Sequence, residues 1–193
     1  MDWDQVAADA RAVVHETLTR LRGPIEAAAD QLAACVRAGG KILLCGNGGS
    51  AADAQHMAAE LVNRFLLDRA AWPAIALSTD TSALTAIGND CGFESVFERQ
   101  VEALGRAGDA LIAFSTSGRS PNVVRAVEAA RRQGLWTLAI TGGDGGVLAS
   151  AADACLCISS SHRTPRIQEG HQLILHLLCE RIEERLAAEA SRT

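Results

Sequence analysis

A chain of 193 residues is long enough for one domain with a real core and leaves little for a second. With 48% hydrophobic and 21% charged residues it falls outside the low-hydrophobicity, high-charge class of disordered chains, and a formal charge of -5 with no basic run argues against a nucleic-acid surface. No apolar stretch approaches the roughly 20 residues of a membrane span, and the opening MDWDQVAADARA lacks the apolar core of a signal peptide, so a cytoplasmic protein without membrane contact is expected.

From Trp3 to Arg22, Val6, Ala10, Val13, Val14, Leu18 and Leu21 recur at helical spacing and predict an amphipathic helix. Gly23-Pro24 reads as its break, and a second helix is expected over Ile25 to Arg37, ended by Gly39-Gly40. Five short, continuously apolar runs then predict strands covered on both faces: Ile42–Cys45, Ala74–Leu77, Ala110–Phe114, Trp136–Ile140 and Cys155–Ile158. Helices are expected between them near Ala51–Phe65, Ser82–Ile87, Phe93–Leu104, Pro121–Gln133 and Val147–Ala151, with a last helix from about Arg166 to Ala190. This alternation predicts an α/β fold, a three-layer α/β/α sandwich on a five-stranded parallel sheet, in which residues 1–38 form preceding helices and 39–190 the core. Ligands of such sheets bind beyond the carboxyl ends of the strands, here the loops after Cys45, Leu77, Phe114 and Ile140. The six cysteines, Cys35, Cys45, Cys91, Cys155, Cys157 and Cys179, lie mostly inside apolar runs without zinc-ribbon spacing and read as reduced, buried thiols.

The first strand runs into Gly46-Asn47-Gly48-Gly49-Ser50 and then a helix, where close-approaching amides and a helix amino terminus suit an anion. The spacing is neither a Walker A loop nor the dinucleotide fingerprint, and a tight strand-to-helix turn would read the same way. The third strand ends in Ser115-Thr116-Ser117-Gly118-Arg119-Ser120-Pro121. Ser120 and Pro121 suit a helix start, but three consecutive hydroxyls before them exceed what capping needs and suggest a phosphate cup, with Arg119 either adding charge or facing solvent.

On the helix after the glycine loop, His56, Glu60 and Arg64 follow at intervals of four and share one face. An imidazole and a carboxylate so placed can bind a divalent metal or act as an acid–base pair; the same spacing on a free surface is an ion-pair stripe, and the anion loop ahead of it favours the chemical reading. In the last helix Glu169 and His171 fit a solvated helix end, whereas His176 lies among leucines, where an imidazole needs a hydrogen bond or a metal.

Taken together, GNGGSAADAQHMAAELVNRF, GNDCGF, STSGRS and RIQEGHQLILH resemble the phosphoheptose isomerase family in order and spacing over essentially the whole chain. The resemblance implies a SIS (sugar isomerase), flavodoxin-like fold and a cytoplasmic homotetramer with active sites at subunit interfaces, to which the amino-terminal helices contribute. It also implies isomerisation of sedoheptulose 7-phosphate to D-glycero-D-manno-heptose 7-phosphate through an enediolate, the first step toward nucleotide-activated heptoses. Carried over residue by residue, Asn47, Gly48, Gly49 and Ser50 would contact substrate, Asn89 and Asp90 would hold sugar hydroxyls, and Ser115, Thr116, Ser117 and Ser120 would take the phosphate. Glu60 would be the base and His176 the acid; Arg64 and Gln168 would lie against the substrate. His56, Glu60, Gln168 and His176 would bind one zinc ion per subunit. Two tensions come with this assignment: a zinc-bound carboxylate is a poorer base, and Gln168 and His176 are separated by roughly 12 Å of helical rise. Pro165 stands where some members carry aspartate, so no carboxylate role transfers there. A relative, the DnaA initiator-associating protein, keeps the fold as a non-enzymatic regulator without counterparts of Glu60 and His176; a sugar-phosphate sensor module of a transcription regulator is the third reading.

Overall fold

The computed structural model describes residues 1–190, with side chains as far as Ala187. Five parallel strands form one sheet in the order β2-β1-β3-β4-β5: β1 Ile42–Cys45, β2 Ala74–Ala76, β3 Ala110–Ser115, β4 Trp136–Gly142 and β5 Ala154–Ile158. The helices are α1 Trp3–Leu18, α2 Arg22–Arg37, α3 Gly49–Val62, α4 Thr81–Cys91, α5 Glu98–Leu104, α6 Pro121–Arg132, α7 Leu148–Ala151 and α8 Thr164–Ala190, with a short 3-10 turn at Phe93–Ser95. Alternate residues of the central strands β1, β3 and β4 feed opposite cores, as the two-residue period of a pleated strand requires. Ile42, Leu44, Ile112, Phe114, Leu138 and Ile140 pack with α2, α3 and α8, while Leu43, Cys45, Leu111, Ala113 and Ala139 pack with Phe97, Val101, Val123 and Val127 of the other layer. The three-layer sandwich and the parallel sheet expected from the sequence are both present.

Several boundaries differ from expectation. Helix α1 stops at Leu18, and α2 begins at Arg22, taking Gly23 and Pro24 into its first turn. A first-turn proline costs little because its missing N–H would have had no helical acceptor. Helix α4 runs through Gly88, Asn89, Asp90 and Cys91 and ends at Gly92, whose φ is 84°, so GNDCGF straddles a helix end rather than forming a free loop. Phe93–Leu104 divides into the 3-10 turn and α5. Strand β2 ends at Ala76, although the Leu77 amide still bonds the Leu44 carbonyl at 2.8 Å. Cys35, Cys45 and Cys179 are buried free thiols, Cys155 and Cys157 are half-buried and Cys91 is exposed, so the expectation of burial fails for Cys91.

Helix α1 is fastened to the loop after β5 through Glu16, which is 8% exposed. Its carboxylate accepts from the amides of Ser159 (3.1 Å) and Ser160 (2.9 Å), from the Ser159 hydroxyl (2.5 Å) and from Arg20 (2.5 Å), whose guanidinium also reaches the Cys157 carbonyl. Burial alone would raise its pKa; the hydrogen bonds from Ser159, Ser160 and Arg20 outweigh burial and hold it near 2. Because the folded value is depressed, this stabilisation is complete above the unfolded carboxylate value near 4.5 and is lost as pH falls toward 2. Replacement with Gln should therefore lower the melting temperature at pH 7 by much more than at about pH 2.5, where most of the stabilisation has already been lost. Thermal unfolding across that range tests this; an equal deficit at both pH values would contradict it.

Candidate active site

In the order β2-β1-β3-β4-β5 the connections leave β1 and β3 in opposite directions, which opens a crevice beyond their carboxyl ends. The loops after these two strands border it and are tied together: the Asn47 and Asn122 amides donate to each other's carbonyl oxygens, both at 2.9 Å. Asn122 is buried in the first turn of α6, so the pair fixes the glycine loop against the serine loop. Ser50 is buried at the start of α3, and at Gly49 a Cβ would lie 2.2 Å from Gln168 Nε2. Gly49 thus lets α8 carry Gln168 directly over the amino terminus of α3.

In the serine loop, Ser120 occupies the N-cap of α6 but its hydroxyl makes no capping bond; it turns inward to the Ser115 hydroxyl at 3.1 Å. Capping therefore accounts for the Ser120 backbone and not for its hydroxyl. Thr116 and Ser117 face Gly142, Gly143, Asp144, His162 and Thr164 across a cleft of about 410 Å3. Arg119 is neither a bare cation nor idle: it makes a two-pronged pair with Asp144 at 2.8 and 2.7 Å, which bridges this loop to the one after β4. Gly118 has a φ of 63°, and a Cβ there would fall 1.9 Å from the Gly145 carbonyl oxygen, so the two loops touch backbone to backbone.

The second cluster lies between α3 and α8. His56 Nε2 is 3.0 Å from Glu60 Oε1 and 3.4 Å from His176 Nε2, and the two imidazoles meet edge to face with centroids 5.1 Å apart. The Gln172 amide nitrogen donates to His56 Nδ1 at 2.8 Å. With Nδ1 accepting, the His56 proton sits on Nε2 and is donated to Glu60, an assignment made from the bonding pattern. Phe65 stacks on His176 at 5.6 Å and 29°. Burial and the neighbouring His56 lower the His176 pKa, against a smaller opposing pull from Glu60, so this imidazole is neutral near pH 7.

Among the described residues no three His, Cys, Asp or Glu side chains form a ready-made metal cage. The imidazole pair nevertheless suits a tetrahedral ion in kind and spacing: bonds of about 2.0–2.1 Å at tetrahedral angles place two ligand nitrogens about 3.4 Å apart. Glu60 stands beside the pair on His56, where a metal would take the place of the Nε2 proton.

Other expected site residues are distributed differently. Arg64 lies beyond the end of α3 at Val62 and is exposed, so the helical stripe expected through His56, Glu60 and Arg64 stops at Glu60. Asn89 and Asp90 are exposed on α4 and bonded to each other at 2.7 Å. Gln168 rests on Gly49, and Gln172, one turn further along α8, is the glutamine that meets the histidines. His171, read as a solvated helix end, is fully buried; it pairs with the Thr141 carbonyl oxygen at 3.0 Å, and burial pushes its pKa down to about 4. Sequence reasoning did not select Asn122, Gln172, Phe65 or Asp53. Asp53 is buried one turn before His56 with Oδ2 unpartnered, and burial raises its pKa to about 6, with His56 pulling it back. Only Gln172 carried a readable signal, its i, i+4 spacing to His176.

Residues 5–142 match the SIS domain family. The chain is 62% identical over 150 residues, 78% of its length and 71% of the relative's, to the phosphoheptose isomerase of Desulfovibrio desulfuricans. Its fold superposes on a phosphoheptose isomerase structure from Neisseria gonorrhoeae with a TM-score of 0.87 at 47% identity, covering 94% of this chain and 98% of that one. A phosphoheptose isomerase structure from Francisella tularensis gives 0.90 at 39% identity, covering 94% and 96%. A chain with this sheet, this serine loop and this degree of identity belongs to the phosphoheptose isomerase family of SIS-domain proteins.

Proposed function

We propose that the protein is an aldose–ketose isomerase converting sedoheptulose 7-phosphate to D-glycero-D-manno-heptose 7-phosphate. The observation that carries this reading is the Glu60–His56–His176 cluster in a chain 62% identical to a phosphoheptose isomerase. The phosphate is bound by Ser115, Thr116, Ser117 and Ser120, helped by the amino terminus of α6. Asn47, Gly48, Gly49, Ser50 and Gln168 line the approach to the sugar. Glu60 takes the proton from C1 of the ketose, giving an enediolate, and returns it to C2. His176, neutral at the pH of the reaction, relays the hydroxyl proton from O1 to O2. The sequence-based role of His176 as an acid is thereby narrowed, since a neutral imidazole gives back a proton it has first accepted.

Zinc would be held by His56 and His176 with Glu60 beside them, whereas Gln168, expected as a fourth ligand, rests on Gly49 and Gln172 is the glutamine at the pair; when bound, the ion would polarise the carbonyl and its neighbouring hydroxyl in place of the relay by His176. A homotetramer with sites at subunit interfaces is supported by exposed apolar side chains, among them Val62, Leu66, Leu67, Ile75 and Phe93, and by α4, which has no buried residue. In that assembly Asn89, Asp90 and Arg64 reach the substrate of a neighbouring subunit, and residues 1–38 belong to the oligomer as well as to the single domain. No helix of the described residues is long and apolar enough to cross a membrane.

The test is turnover of sedoheptulose 7-phosphate by the purified protein, read by coupling the aldoheptose phosphate to an enzyme that consumes it. Turnover is expected; none, with or without added zinc, would overturn the reading.

A further inference from the structure

Glu183 lies on α8 two turns beyond His176 and is 2% exposed. Its carboxylate accepts from three successive backbone amides, Phe65 at 2.9 Å, Leu66 at 2.8 Å and Leu67 at 3.0 Å, and from Arg69 Nε at 2.8 Å. Arg69 in turn donates through Nη2 to the Glu60 carbonyl at 2.8 Å and through Nη1 to the Leu61 carbonyl at 3.0 Å, with its guanidinium 3.5 Å over the Trp72 ring. A carboxylate so deeply buried persists only with a full set of donors, and here the donors all come from the segment that follows α3.

The sequence of this segment favours a longer helix, and periodicity alone carries α3 to Phe65. In a continued helix the amides of residues 64 and 65 would bond the carbonyls of Glu60 and Leu61. Instead Arg69 occupies both carbonyls and Glu183 takes the Phe65 amide, so the chain leaves the helix at Val62. That departure sets the Phe65 ring against His176. The two routes compete for the same groups, and Glu183 decides between them.

We infer that Glu183 is a positioning residue: by ending α3 where it does, it holds Phe65 on the His176 ring and fixes the last turn that carries Glu60. The inference rests on the reading of Glu60 and His176 as the acid–base pair. A glutamine at 183 offers one acceptor oxygen where two are used and turns an amide toward donors. Helix α3 then extends, and Phe65 swings off His176.

The experiment compares kcat and KM for sedoheptulose 7-phosphate in the full-length wild type and in Glu183→Gln, Glu183→Asp, Phe65→Leu and Glu60→Gln, with circular dichroism confirming that each is folded. Misplacing catalytic groups by about 1 Å costs on the order of 100-fold, so Glu183→Gln should lose about that much in kcat with KM within about threefold of wild type. Glu183→Asp should recover part of the loss, and Phe65→Leu, which leaves the buried carboxylate untouched, should lower kcat about tenfold. Wild-type kcat in folded Glu183→Gln, or in Phe65→Leu if the former does not fold, would overturn the inference while leaving the acid–base pair standing. Undiminished turnover in Glu60→Gln would instead remove the pair and the inference with it.

Discussion

Glu60→Gln is expected to lower kcat by about 1,000-fold while sugar-phosphate binding stays close to wild type. The amide keeps the shape of the carboxylate and a hydrogen bond to His56, now 3.0 Å from Oε1, but it cannot accept the carbon-bound proton. Recognition of the phosphate depends on the loop after β3, on another strand, so the loss should fall on kcat rather than KM. The coupled assay measures the first quantity and equilibrium binding of sedoheptulose 7-phosphate to the inactive variant measures the second. Retained turnover would remove Glu60 as the base; lost binding would make it a substrate contact instead.

Gly118→Ala is expected to cost about 3 kcal/mol, combining the penalty of a left-handed conformation with overpacking. The φ of 63° disfavours any Cβ, and this one would sit 1.9 Å from the Gly145 carbonyl oxygen and 3.0 Å from the Gly146 amide nitrogen. Neither obstacle is the flexible end of a side chain, so the two loops must part. Separation also breaks the bond from the Leu148 amide to the Gly118 carbonyl and strains the Arg119–Asp144 pair. For a chain of this size the melting temperature should drop by roughly 6–12 °C. Phosphate recognition should suffer with it, seen as a rise in KM or in the inhibition constant of inorganic phosphate. A variant with wild-type melting and wild-type KM would show that the loops tolerate separation.

The sheet was legible because buried parallel strands have a distinctive pattern: Ile42–Cys45 and Ala110–Ser115 are apolar at every position but the last serine, and both faces are covered. Helix ends were less legible, since they depend on groups far away in sequence. The spacing near Val62 does not announce that α3 ends there; the groups that end it are Arg69, past the expected helix, and Glu183, more than a hundred residues later. Helix α1 ends short of its apolar pattern, and α2 absorbs a glycine–proline pair that looks like a breaker.

The chemical residues divide the same way. His56 and Glu60 were readable from one helical turn, and the hydroxyl loop from its composition. The partner of Arg119 lies 25 positions away and that of Asn47 lies 75 away, distances at which local spacing carries no information. His171 looked solvated because polar neighbours surround it in sequence, yet the helix turns it onto the sheet beside Phe114.

A crystal structure of Glu60→Gln with sedoheptulose 7-phosphate bound tests the central claim most directly. It should place the phosphate in the loop of Ser115, Thr116, Ser117 and Ser120, with C1 and C2 within about 3.5 Å of residue 60 and the His176 imidazole. A phosphate seated elsewhere, or reacting carbons remote from both side chains in every subunit of the assembly, would contradict it.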